Sequence, residues 1–427
     1  MRGPAMNPKS PDSQRDTCIT PVESDALTVE DARQRILSSI QALTECEQIP
    51  LKDGWDRILG ADLHAPFNVP PWDNSAMDGY AIRGEDIPVA DSRRLVVVGT
   101  TMAGSPYSGE VVAGQCVRIM TGGVIPHGCD TVIMQEQTIR DGDVVTIGAG
   151  HHAGEHVRRA GEDLATGQRV LGTGRRITPA DLGLLASLGI EHVTVTRRPR
   201  VAFFSTGDEL RALGEALDEG AIYDSNRYAL YGMLRRTGVE PLELGIVRDR
   251  RDALETALTQ AATQTDAVIT TGGVSVGEAD FVREMLAKLG DVHFWKVGVK
   301  PGRPFAFGRI GQAWFFGLPG NPVSTMVTYY QFVQPALRRL MGEDATPPLQ
   351  FKATCITALK KAPGRKEFQR GILETNSAGE TVVRSTGGQG SNLLRSMSDA
   401  NCFIILPAEW GDVPAGSLVE VQPFAGL

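Results

Sequence analysis

The sequence predicts a multidomain chain of α/β and β parts. It has a central α/β domain on a parallel sheet, an inserted β-rich module, and a small barrel-like β domain at the C-terminal end. Three observations predict this. From Arg200 to about Gly342, apolar runs alternate with stretches of helical length, which is the pattern of βαβ units. From Pro66 to Gly154, short apolar runs alternate with Gly-rich turns. From Pro347 to Leu427, short strands and turns return. A chain of 427 residues is also too long for one ordinary core.

Taken in order, residues 1–24 are polar and Pro-rich, lack the apolar run of a signal peptide, and read as a disordered tail. A helix is predicted from Val29 to Leu43, with Thr28 as N-cap, Asp31 as its capping-box partner, and Ile36, Leu37, Ile40 and Leu43 on one face. In the β-rich module the apolar runs are Leu95–Val98, Cys116–Met120, Thr131–Met134 and Val144–Ile147. Helical texture returns at Thr178–Leu188, where Thr178 caps, Pro179 takes the first position and Gly189 terminates. The order therefore places residues 66–154 as an insertion between two halves of a helical and linker domain, 25–65 and 155–198. In the α/β domain, 199–345, strands are predicted at Val201–Phe204, Leu242–Val247, Ala267–Thr270 and Val292–Val297. Helices run from Asp224–Asn226 to Arg236, over Arg251–Ala262 and Ala279–Leu289, and as one long final helix over Pro322–Leu340. Residues 346–427 form the C-terminal β domain.

Composition excludes several function classes. Hydrophobic residues at 41% and charged residues at 22% describe a soluble globular protein, and no apolar run is long enough to span a membrane. A net charge of −8 argues against general affinity for nucleic acid, so an anionic ligand would need a local basic pocket. Cys18, Cys46, Cys116, Cys129, Cys355 and Cys402 show no C-x-x-C spacing and read as reduced thiols of a cytoplasmic protein. His151, His152 and His156 lie among Gly and Arg and read as a solvated loop rather than a metal site.

In open parallel sheets, ligands bind beyond the carboxyl ends of the strands. Three strand ends here deliver Glu209, Asp249 and Asp280 to one rim. The loop Thr271–Asp280 carries Gly272, Gly273, Ser275 and Gly277, whose backbone N–H groups suit an anion before a helix N-terminus. Acids beside a glycine loop suggest a phosphate held with Mg²⁺, a hard cation that takes one or two carboxylates plus phosphate oxygens. Lys296, Lys300 and Arg303 follow on a Pro-stiffened stretch, and Ser324 follows the loop Gly317–Pro322. No P-loop, dinucleotide fingerprint or G-x-S-x-G elbow is present.

The segments Pro70–Ala81, Arg118–Gly123, Ser205–Leu210, Thr271–Asp280, Lys296–Pro304 and Gly317–Pro322 resemble MoeA and gephyrin E-domain proteins, the molybdopterin molybdenumtransferases, from about residue 25 to the end. The resemblance implies a molybdopterin-binding α/β domain and a homodimer of elongated protomers. It implies that Asp78, Thr121, Asp163, Glu209, Asp249, Asp280, Lys296 and Lys300 serve a catalytic cleft shared between protomers. Arg303 stands where many relatives have Lys, and Arg370 and Ser391 match positions that complete a molybdate pocket. The implied reaction inserts molybdenum from molybdate into adenylated molybdopterin with Mg²⁺, releasing AMP by positioning and electrostatics. The adenylyltransferase of that pathway is a candidate partner. Two other readings are adenylation of molybdopterin itself and a gephyrin-type scaffold. The β module and C-terminal domain argue against the first, and the full set of rim acids and bases against the second.

Overall fold

A computed structural model describes residues 26–273, 280–344 and 346–424, with the side chains of residues 280 and 281 outside the description. The predicted tail therefore lies outside the described residues. The chain divides into two compact units, one made of residues 1–45 with 197–427 and the other of residues 46–196. No helix among the described residues is long and apolar enough to cross a membrane.

In the first unit, a six-stranded sheet runs in the order Glu240–Val247, Arg200–Thr206, Ala267–Thr271, Ala313–Leu318, Pro304–Ile310, Gly290–Lys296. The first four strands are parallel, the predicted parallel sheet, and Pro304–Ile310 pairs antiparallel with both of its neighbours, Ala313–Leu318 and Gly290–Lys296. The central strand Ala267–Thr271 is buried at every residue, as a parallel strand covered on both faces must be. The hairpin Pro304–Leu318 was not predicted as strands. It turns at Gly311, whose φ of 57° suits glycine. Asp224 caps the helix Ser225–Thr237 by accepting the Arg227 N–H, and Gly238 closes it at φ 91°.

The N-terminal helix is shorter than predicted, Val29–Ser39. Thr28 caps it by accepting the Asp31 N–H at 3.0 Å. The chain turns extended at Ile40, and Leu43 gives its N–H to the Leu340 carbonyl at 2.8 Å instead of to a helical turn. Ile36 and Ile40 are still buried together. The long final helix contains a π-helical segment, Tyr329–Val333, between Pro322–Thr328 and Gln334–Leu340. Pro335 explains the change, because it has no N–H for the Gln331 carbonyl one turn earlier. Arg33 fills that gap: its Nε donates to the Gln331 carbonyl at 3.1 Å and its Nη2 to Gln331 Oε1 at 2.5 Å.

The C-terminal strands Phe351–Cys355, Lys366–Thr375, Thr381–Ser385, Cys402–Leu406 and Ser417–Pro423 close into a barrel, because Lys366–Thr375 pairs with both Thr381–Ser385 and Cys402–Leu406. Cys355, Val383, Cys402, Ile404 and Val421 are fully buried in its core. A sixth segment, Val299–Lys300, joins from the α/β domain in parallel with Lys366–Glu367.

In the second unit the predicted apolar runs fall on strands Ser92–Thr101, Gln115–Ile119, Thr131–Met134 and Val144–Gly148 of a six-stranded sheet. Gly79–Ile82 and Thr138–Asp141 complete it. Gly79 is required there, since a Cβ would meet the Ile133 carbonyl oxygen at 2.0 Å. The helix Pro179–Ser187 carries a full capping box between Thr178 and Asp181.

The Arg33–Gln331 contact generates a prediction. Arg33→Ala leaves a buried carbonyl without its donor and should cost about 1–3 kcal/mol in urea unfolding. In Pro335→Ala a backbone N–H becomes available for Gln331. The double variant should therefore lose less than the sum of the single losses, and strict additivity would show that the two groups do not share that carbonyl.

Candidate functional site

A cavity of about 960 Å³ lies in the first unit between the carboxyl ends of the parallel strands and the barrel. Its strand side is set by glycines. A Cβ at Gly272, with φ 90°, would lie 2.4 Å from the Thr206 carbonyl oxygen, so only glycine lets these two strand ends meet. The Glu209 carboxylate folds back over Gly207, where a Cβ would lie 2.5 Å from Oε2. The Thr206 hydroxyl donates to the Asp249 carboxylate. Beneath this rim runs a buried polar chain: the Thr271 hydroxyl contacts Ser205 Oγ at 3.0 Å, Ser205 donates to Asp224 at 2.8 Å, and Arg227 Nε donates to Asp224 at 2.9 Å.

The next wall is the loop Gly317–Pro322 and the helix start after it. Asn226 Nδ2 donates to the Gly320 carbonyl at 2.6 Å, and the Thr325 hydroxyl to the Pro319 carbonyl at 2.6 Å. The Val323 N–H reaches across to the Ser391 carbonyl at 3.0 Å, which ties this helix to a barrel loop. Ser324 is almost wholly buried and lines the cavity.

The barrel side is organised by buried charge. Lys300 donates to Glu367 Oε1 at 3.0 Å, while Gln369 donates to Glu367 Oε2 at 2.9 Å. Glu367 is 3% exposed, so this carboxylate needs its partners. Lys361, also buried, gives its ammonium to the carbonyls of Ala362, Ala408 and Trp410. Burial lowers the Lys361 pKa, partly offset by Glu367. Arg370 is 1% exposed and donates to Ser396 Oγ at 3.0 Å and to the Gly390 carbonyl at 3.0 Å. Burial pulls its pKa down to about 10.

The second unit holds a separate constellation. Asp78 Oδ1 accepts both the Thr121 N–H at 2.7 Å and its hydroxyl at 2.8 Å. These bonds, the backbone one first, hold the Asp78 carboxyl below the usual carboxylate range. Asp73 in the same motif accepts from the Ala160 N–H at 2.7 Å and from Arg159 at 2.7 Å. Asp163 is exposed, and its N–H bonds the Val69 carbonyl at 3.0 Å.

Comparison with known proteins agrees along the chain. Residues 27–189 match the MoeA N-terminal region (domain I and II), residues 202–339 a probable molybdopterin binding domain, and residues 352–424 the MoeA C-terminal region (domain IV). The molybdopterin molybdenumtransferase of Haemophilus influenzae is 45% identical over 94% of this chain and 99% of its own length. That of Nostoc sp. is 35% identical over 89% and 90%. The chain belongs to the MoeA family. Its fold matches the crystal structure of a Pyrococcus horikoshii MoeA protein with a TM-score of 0.83 at 29% identity, over 93% of this chain and 100% of that one.

Within this MoeA-family chain, the cavity wall gathers Glu209, Gly272, Lys300, Ser324 and Ser391 from the predicted residues. Asp249 and Gly273 sit at the adjoining strand ends. Lys296 ends the edge strand, and Arg303 follows in the loop, its carbonyl accepting the Val297 N–H at 2.9 Å; neither lines the cavity. Arg370 differs from its expected place among the oxyanion-holding side chains: it lies beneath the Gly387–Asn392 loop and reaches the cavity through the backbone it holds. Asp280 begins the helix Asp280–Leu289, but its side chain, like Ser275 and Gly277 altogether, lies outside the described part. Thr206, Asn226, Asn321 and Arg365 also line the cavity and were missed. Thr206 sits in a strand-end segment the sequence had already singled out, whereas Arg365 precedes a barrel strand and carries no local signal.

The Asp78 geometry predicts a pH dependence. A carboxyl whose folded pKa is depressed adds stability that is full above its unfolded pKa and is lost as pH falls through the folded value. The Thr121 amide resonance should therefore titrate with a midpoint below the ordinary aspartate value of about 3.9, and Asp78→Asn should abolish that titration. A midpoint at or above the ordinary value would mean that the two Thr121 bonds do not favour the ionised form.

Proposed function

We propose that this chain inserts molybdenum from molybdate into adenylated molybdopterin, releasing AMP in a Mg²⁺-dependent reaction, as a cytoplasmic homodimer. Membership of the MoeA family makes it a transferase of molybdenum cofactor biosynthesis. The observation that carries the finer reading is the cavity itself: one wall is a glycine-rich strand-end rim suited to phosphates, and the facing wall carries basic side chains and hydroxyls suited to an oxyanion.

In this reading the backbone at Gly272 and Gly273 receives the phosphates of the nucleotide-pterin. Lys300, Ser324 and Ser391 face molybdate, with Lys296 and Arg303 adding positive charge beside them. Asp249 fits a Mg²⁺ role, because its carboxylate and the Thr206 hydroxyl place hard oxygen donors at one strand end. No group of three or more acids, histidines or cysteines able to hold a metal occurs among the described residues. One or two carboxylates completed by substrate phosphates is the arrangement Mg²⁺ commonly takes, with Asp280 as the second carboxylate in the proposal. Bound there, Mg²⁺ would polarise the phosphoanhydride. Asp78, Thr121, Asp163 and Glu209 are proposed to act in the same reaction.

The test follows AMP release and cofactor formation from adenylated molybdopterin while molybdate is varied. Lys300→Ala should raise the molybdate requirement by about ten- to a hundredfold, the worth of one charge-assisted hydrogen bond. Asp249→Asn should raise the Mg²⁺ requirement instead. The dimer predicts restored activity when Asp78→Ala and Lys300→Ala chains exchange subunits at a molybdate concentration too low for either variant alone to turn over. ATP-dependent adenylation of molybdopterin with no molybdate-dependent AMP release would sink the proposal.

A further inference from the structure

The buried polar chain beneath the strand-end rim does more than cap a helix. Asp224 is almost wholly buried, and capping the helix Ser225–Thr237 uses one bond to its carboxylate, from the Arg227 N–H at 3.2 Å. The same oxygen also accepts the Ser205 hydroxyl at 2.8 Å, and Ser205 in turn accepts the Thr271 hydroxyl at 3.0 Å. A carboxylate accepts hydrogen bonds and donates none, so Ser205 must donate to it and Thr271 must donate to Ser205. The charge of Asp224, balanced by Arg227 Nε at 2.9 Å, therefore fixes both hydroxyls in one direction, and the bonds strengthen one another. Ser205 and Thr271 face each other across neighbouring parallel strands, and each directly precedes a residue of the cavity wall, Thr206 or Gly272.

The same helix start also holds the second glycine loop, because Asn226 Nδ2 donates to the Gly320 carbonyl at 2.6 Å. The two loops lie against one another: the Gly272 N–H donates to the Leu318 carbonyl at 3.2 Å, and a Cβ at Gly320 would come within 3.7 Å of the Gly272 Cα. Asp224 and Asn226 thus bracket two backbone segments whose spacing decides whether their N–H groups converge on one anion. We propose that Asp224 and Asn226 are positioning residues for the phosphate-binding backbone. Asp224 acts through Ser205 and Thr271 on the Gly272 loop, and Asn226 acts directly on the Gly320 loop. The inference rests on the function proposed above, which gives the phosphates of the nucleotide-pterin to the backbone at Gly272 and Gly273.

Calorimetric titration of the full-length protein with AMP alone and with molybdate alone tests this, alongside urea unfolding of the same variants. Thr271→Val removes the hydroxyl at nearly constant shape, and Asn226→Ala removes the amide. Each should weaken AMP binding about three- to tenfold, the worth of one neutral hydrogen bond, and leave molybdate binding unchanged. Thr271→Ser keeps the hydroxyl and should bind AMP as wild type does. Thr237→Val controls for stability: the Thr237 hydroxyl is buried against the Tyr329 hydroxyl at 2.7 Å, away from the cavity wall, so its loss should lower urea stability and leave AMP binding intact. Asn226 is only half-buried, so its variant decides the matter if Thr271→Val does not fold. Thr271→Val and Asn226→Ala proteins that bind AMP as wild type does overturn the bracket and leave the proposed function standing. AMP binding weakened as much by Thr237→Val also overturns it, since lost stability would then explain the effect. Molybdate binding weakened as much as AMP binding overturns it too, because the bracket acts on the phosphate side alone. A wild-type protein that does not bind AMP overturns the phosphate assignment of the proposed function and this inference together.

Discussion

The pairing of Val299–Lys300 with Lys366–Glu367 is the contact on which the cavity depends. It is a very short stretch of parallel ladder, yet it sets three things at once. It docks the loop after the edge strand onto the barrel, and it puts Lys300 opposite Glu367 in register. It also fixes the Gly298–Lys366 backbone bond that orients Arg365. A slip of one residue would turn Glu367 to the other face of its strand, stranding a buried carboxylate and removing the counter-charge of Lys300. Desolvation thus enforces the register more strongly than the few ladder hydrogen bonds could.

Buried charge elsewhere in the barrel is used to shape backbone rather than to meet ligand. Lys361 and Arg370 each satisfy carbonyls of loops that would otherwise lose their hydrogen bonds to water. Leaving a buried carbonyl unsatisfied costs about 1–3 kcal/mol, so these cations hold their loops in one conformation. The Gly387–Asn392 loop, which brings Ser391 to the cavity, is held in this way by Arg370 and by the Ser391–Val323 backbone bond. On the strand side, glycines perform the corresponding task by allowing contacts that a Cβ would block, at Gly272 above all.

The same rule explains the irregular final helix. Pro335 removes a donor, the helix widens to a π-segment, and the freed carbonyl of Gln331 is taken by Arg33 from the N-terminal helix. A local defect in one helix is thereby turned into an attachment between chain segments far apart in sequence.

Much of this was already written in local pattern. Alternation of apolar runs and helical stretches determined the α/β domain, because strand and helix periods are properties of short segments. Glycine and acid positions at strand ends determined the rim with Glu209, Gly272 and Asp249, because ligands meet open parallel sheets at that edge. Capping residues determined several helix starts, Thr28, Thr178 and Asp224 among them. The hairpin Pro304–Leu318 was missed because its strands are continuous apolar runs, which periodicity cannot distinguish from a buried helix. Only the tertiary structure decided that Arg370 lies under a loop, that Lys300 is paired with Glu367, and that Arg365 borders the cavity. These are outcomes of burial and register between segments distant in sequence, and the energy that fixes them, the desolvation of charge, exists only once the chain has folded around it.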